Sequence, residues 1–105
     1  METPNLNYLK ELARGDQELI NQLKEVLKTE FPEEKKDYYD SLEAKNYKLI
    51  AENVHRIKHK ISILGLEIAY KLANDYENEL RASNSDKKDA FENILVVISN
   101  YLKTI

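Results

Sequence analysis

Five apolar residues, Ile50, Val54, Ile57, Ile61 and Leu64, recur at steps of four, three, four and three. Only an α-helix gathers residues at those intervals onto one side; a strand would scatter them over both faces. A helix with one apolar face has to bury it against another element, so this stripe commits the chain to a packed helical core. No other segment alternates in the manner of a strand. With two glycines and two prolines in 105 residues, the chain also lacks the turn residues that a sandwich or barrel needs. The expected fold class is all-α.

Single breakers divide the rest into further helices. Leu6, Leu9 and Leu12 have helical spacing and stop at Gly15, a suitable C-terminal cap. Asp16 suits an N-cap ahead of the stripe Leu19, Ile20, Leu23, Val26 and Leu27. Phe31-Pro32 should end that helix, because the residue before proline is pushed out of the α region. Pro32, Glu33 and Glu34 suit the first turn of another helix, carrying Tyr38, Tyr39 and Leu42 to about Lys45. Asn46 is placed to cap the striped helix and Gly65 to end it. Ile68, Leu72, Tyr76 and Leu80 form the next stripe, up to Ser83-Asn84-Ser85. Phe91, Ile94, Leu95, Ile98 and Leu102 form the last, beginning near Asp86. Four substantial helices with short loops predict an antiparallel up-and-down four-helix bundle with short N-terminal helical additions, one domain over residues 1–105.

Composition removes several function classes. The absence of cysteine excludes disulfides, Cys-based zinc sites, iron–sulfur clusters and thiol nucleophiles. A net charge of −3 carries no basic excess for nucleic acid. The longest apolar run, Ile94 to Ile98, is far too short for a bilayer, and no signal-peptide pattern is visible, so a cytoplasmic protein is expected. Both glycines are isolated, which leaves no nucleotide-binding loop, and no Gly-x-Ser-x-Gly elbow occurs.

Both histidines lie in the striped helix. Turning about 100° per residue from the stripe places His55 about 140° and His59 about 180° away, on the solvent side. Ala51 and Ser62, both small, fall beside His55 and would leave its ring open to a docking macromolecule. Between residues 45 and 71, six basic residues face two acidic ones, so an acidic chain concentrates positive charge around the histidine helix. Such a run is ordinarily a solvated face; it also suits a phosphoryl group or an acidic partner.

His55-Arg56-Ile57-Lys58, followed by Leu64-Gly65-Leu66 with Gly65 ten residues after His55, resembles the histidine-containing phosphotransfer domain of two-component phosphorelays. That family's signature is His-x-Leu/Ile-Lys-Gly and then a Leu/Val-Gly-Ala/Leu element. Asn7-Tyr8-Leu9-Lys10-Glu11-Leu12 with Gly15-Asp16 looks like the family's first helix and turn. Tyr76-Glu77, twenty-two residues after His55, looks like its hydrophobic-plus-Glu/Gln pair on the neighbouring helix. One position departs: His59 stands where the family usually has glycine, which is read as clearing space for a receiver domain.

The resemblance implies that His55 accepts a phosphoryl group from a receiver aspartate and passes it to another receiver. The neutral imidazole is the reactive form, because attack on phosphorus needs a lone pair. Glu77 is implied to orient the ring and Lys58 to offer its ammonium to phosphoryl oxygens. Ala51, Arg56, His59 and Ser62 would line the docking surface, and Gly65 would be structural. No cofactor is expected on this chain, since Mg²⁺ would sit on the receiver, and no ATP site, so the protein would be a phosphocarrier and not an enzyme. The expected partners are receiver domains of response regulators or hybrid kinases, met by a monomer. Two other readings stay open. One is a helical adaptor that binds an acidic surface without chemistry. The other uses His55 and His59, spaced i,i+4, as half a zinc site with Glu52 and Glu77 as nearest supplements; no metal is expected on that ground alone.

Overall fold

Short polar side chains start the two longest helices. The Asp16 carboxylate accepts from the backbone N–H groups of Glu18 and Leu19 at 3.1 and 3.2 Å, and the Asn46 side chain accepts from Leu49 N–H at 3.1 Å. In the computed structural model, which describes residues 2–105, five helices follow one another. They are α1 (Asn7–Ala13), α2 (Gln17–Glu43), α3 (Tyr47–Ile63), α4 (Glu67–Arg81) and α5 (Lys88–Leu102). No strand occurs among the described residues, and no helix is long and apolar enough to cross a membrane.

The break expected at Phe31-Pro32 does not occur. α2 runs on through Pro32 for 27 residues. Its buried face explains why: Ile20, Leu27, Phe31, Glu34, Tyr38 and Ser41 continue one helical stripe across the proline, while the Pro32 ring lies on the exposed side. Packing of that stripe outweighs the one backbone hydrogen bond that proline cannot make. At about 1.5 Å per residue, α2 spans about 40 Å and sets the long dimension of a 43 × 25 × 20 Å molecule.

Three helices end in the same device. After α3, Leu66 N–H reaches Ile61 O at 3.3 Å and Gly65 N–H reaches Ser62 O at 3.0 Å, with Gly65 at φ +75°. This is the Schellman arrangement, which needs one left-handed residue. The ends of α2 and α4 repeat it with Lys45 (φ 53°) and Ser83 (φ 62°) in the glycine position. α4 begins differently. Its first free N–H groups, on Ile68 and Ala69, are taken by the Glu2 carboxylate at 2.9 and 2.8 Å.

One apolar cluster forms the core. Every residue of the Ile50–Leu64 stripe is buried, as are Phe91, Leu95, Ile98 and Leu102 of α5. The stripe expected on α4 holds in its second half, where Tyr76 and Leu80 are buried, and turns in its first: Ile68 is 72% exposed and Leu72 half-buried, while Ala69 and Ala73 are buried. α2 packs against α3 and α5, α4 packs against α3 and α5, and α1 lies on α2. At the centre, the Tyr38 hydroxyl donates to Glu92 and meets the Tyr76 hydroxyl, both at 2.9 Å. Burial above all raises the pKa of both phenols, so they remain protonated hydrogen-bonding groups.

Candidate functional site

α3 lies between α2 and α4, and this gives it a buried arc wider than its apolar stripe. Asn53, Lys58 and Lys60 are drawn into that arc, and a narrow strip carrying His55, Arg56, His59 and Ser62 stays exposed. Both histidines therefore face solvent, on the side the wheel assigns. Ala51 does not join them. Expected on the docking surface, it is completely buried beside Ile50 where α3 meets its neighbours, so it has no surface to give a partner.

Glu77 of α4 is the centre of the polar arrangement. Its side chain is only 9% exposed, yet three donors converge on it. His55 Nδ1 lies 3.2 Å from both carboxylate oxygens, Lys58 Nζ lies 3.0 Å from Oε1, and Arg81 donates to Oε2 at 3.1 Å. Burial pushes the carboxyl pKa up, but hydrogen bonds from Lys58, Arg81 and His55 together outweigh that and hold it below the ordinary value. An ionised carboxylate fixes the Nδ1–H tautomer of His55 and leaves the lone pair on Nε2.

The Lys58 ammonium is engaged on the Nδ1 side of His55. It donates to Asn74 Oδ1 at 3.0 Å, pairs with Glu77, and lies over the Tyr70 ring, 5.5 Å from its centroid. To meet a phosphoryl group on Nε2 it would have to leave these partners. The other cations around His55 are also matched. Arg56 donates to Asp37 on α2 at 3.1 Å, and Lys60 pairs with Glu30 and Glu34 at 2.9 and 3.2 Å. Arg56, Lys58 and Lys60, three of the six basic residues read along the chain, are thus matched by carboxylates.

His59 occupies the other side of the His55 ring. The two Nε2 atoms are 3.3 Å apart, with the ring planes at 87°. Gly65 acts at the end of the helix, where a Cβ would meet the Asn5 amide at 2.7 Å. That amide accepts from Asn7 N–H at 3.0 Å, and Asn5 N–H reaches Leu64 O at 2.9 Å, so glycine lets the N-terminal segment cross the end of α3.

Asn74 and Arg81 complete the setting of Glu77 and have no counterpart in the sequence reading. Arg81 follows Glu77 by four residues, a spacing that signals a helical ion pair, and Asn74 precedes it by three. Set against known proteins, the chain matches no family model, no curated protein and no solved structure.

Proposed function

We propose that this protein is a phosphorelay intermediate similar to histidine-containing phosphotransfer domains, with His55 as phosphoacceptor. The observation that carries the reading is the buried, ionised Glu77 held against Nδ1 of an exposed imidazole. In transfer, the Nε2 lone pair attacks the phosphorus of a receiver's aspartyl phosphate. The N–P bond forms as the acyl P–O bond breaks, and its electron pair leaves with the receiver carboxylate. The ring keeps its Nδ1 proton throughout and gains positive charge, which Glu77 faces directly. The same charge makes the imidazole a good leaving group, so the step reverses towards a second receiver aspartate.

Lys58 and Arg81 serve this chemistry by holding Glu77 in place. Arg56, His59 and Ser62 surround His55 on the exposed strip and form the docking surface in this reading. Phosphoryl approach requires the His59 ring to rotate away from Nε2. The carboxylate pocket and Mg²⁺ belong to the receiver, and the chain acts as a phosphocarrier without an ATP site. The packing of α2, α3, α4 and α5, each against two of the others, supports an antiparallel up-and-down four-helix bundle with α1 as the N-terminal addition. The protein would work as a monomer in the cytoplasm, with receiver domains as partners. An adaptor for acidic surfaces is the weaker reading, because Arg56, Lys58 and Lys60 already have carboxylate partners.

The test is phosphoryl loading from ³²P-labelled receivers and from phosphoramidate. Acid-labile, base-stable label should appear on the wild type, vanish in His55→Gln and persist in His59→Gln. Label mapped to His59 of the intact protein would overturn the assignment, and no label from any donor would overturn the function.

A further inference from the structure

The Nε2 atoms of His55 and His59 lie 3.3 Å apart, a long hydrogen bond in which one ring supplies an N–H and the other a lone pair. The same distance suits a chelate. With Zn–N bonds of about 2.0–2.1 Å, nitrogens 3.3 Å apart subtend about 107° at the metal, close to tetrahedral. A square-planar ion with bonds of that length would need them about 2.9 Å apart. Glu77 adds an independent feature. A carboxylate on the far nitrogen of a ligating histidine fixes the tautomer and raises the basicity of the nitrogen that binds metal. Glu77 holds that position against Nδ1 of His55.

We propose that His55 and His59 form a two-imidazole site for Zn²⁺, with water in the remaining positions. His59 binds as its Nδ1–H tautomer and each ring gives the metal its Nε2 lone pair. Among the described residues no group of three or more His, Asp or Glu side chains is arranged for a metal. The ion is therefore exchangeable, unlike the four-ligand sites that hold structural zinc. Ligation uses the lone pair that phosphoryl transfer needs, so zinc and phosphoryl group exclude each other on His55. This second part rests on the phosphorelay reading; the site itself does not.

Calorimetric titration of zinc chloride into the untagged, chelator-stripped chain near neutral pH tests the site. The wild type should bind one ion saturably and melt at higher temperature with it. His55→Gln and His59→Gln, both changes at exposed positions, should each fold but show neither effect. A wild type that does not bind, or single variants that bind equally well, would overturn the site. Exclusion is read separately by loading with phosphoramidate, which keeps zinc away from any receiver's own metal centre. Zinc should slow loading of the wild type, a chelator should restore it, and the ratio of rates without and with zinc should fall towards one in His59→Gln. Zinc binding without slowed loading would overturn the exclusion. Absent loading in zinc-free buffer would overturn the phosphorelay reading and leave the titration to decide the site.

Discussion

Replacing Glu77 by glutamine tests whether a buried carboxylate organises the region around His55. The change keeps the shape and one acceptor oxygen, and it presents an amide N–H₂ where Lys58 now finds a negative charge. Lys58 and Glu77 side chains are 8% and 9% exposed, so their pair behaves as a buried one. Removing one member of such a pair costs about 3–5 kcal/mol, mostly because the other charge is left uncompensated. Lys58 keeps the Asn74 oxygen and the Tyr70 ring, which places the expected loss at the lower end, about 3 kcal/mol. Arg81, half exposed, adds less than about 1 kcal/mol. The pH dependence follows from the lowered carboxyl pKa. The folded state then binds this proton less readily than the unfolded chain, whose glutamate titrates near 4.5. The stabilisation is complete above that pH and is lost as pH falls through the lower folded value. Urea denaturation of both proteins, from neutral pH down to well below 4.5, should show a gap that is constant above that value and closes beneath it. A gap under about 0.5 kcal/mol at neutral pH, the range of ordinary surface substitutions, would refute the reasoning. So would a gap that persists unchanged in acid.

Five other substitutions address the fold. Tyr38→Phe leaves the buried Tyr76 hydroxyl without its partner and should cost about 1–3 kcal/mol by chemical denaturation. Pro32→Ala restores a backbone hydrogen bond within α2 and should raise stability by about 2 kcal/mol, the helix gain less the unfolded-state entropy that proline removes; the melting temperature should rise accordingly. Lys45→Gly relieves a left-handed residue at the end of α2 and should stabilise by about 0.5–1 kcal/mol in the same assay. Gly15→Ala and Gly65→Ala should each cost about 1–2 kcal/mol for their positive φ, and Gly65→Ala should cost about 1 kcal/mol more, because only there does the new Cβ displace the Asn5 amide from its hydrogen bond to Asn7. Equal losses at the two glycines would show that the Asn5 contact contributes nothing.

Helix starts were legible in the sequence wherever a local side chain made them. Asp16 and Asn46 satisfy N–H groups two or three residues ahead, so their effect depends on nothing distant. The continuation of α2 through Pro32 was not legible, because Glu34 and Ser41 are polar residues on the buried face and break the apolar pattern that would have carried the eye across the proline. Glu34 is buried for the sake of Lys60, a residue 26 positions away. The same limit applied to charge. Counting basic residues between positions 45 and 71 describes the chain but not the surface, since Arg56 and Lys60 meet carboxylates contributed by α2.

The site itself turned on the rotation of one helix. His55 could be placed from its own sequence because the stripe on α3 is unambiguous, whereas Glu77 lies on α4, where two stripes compete. If Ile68, Leu72, Tyr76 and Leu80 had faced the core, Glu77 would lie about 120° from the middle of the buried face, out in solvent. With Ala69, Ala73, Tyr76 and Leu80 buried instead, it lies about 70° away, at the edge where α4 meets α3. Hydrophobicity alone favours the first choice, since it buries Ile68 and Leu72 in place of two alanines. Two terms favour the second. Alanine on the α4 face lets the helix lie closely on α3, and the rotation brings Glu77 within reach of Lys58, which would otherwise be a buried ammonium without a counter-charge. The apolar area forgone by exposing Ile68 thus accompanies the carboxylate that orients His55. A sequence reading that ranks faces by hydrophobicity misses this rotation, because its driving force lies in a charge on another helix.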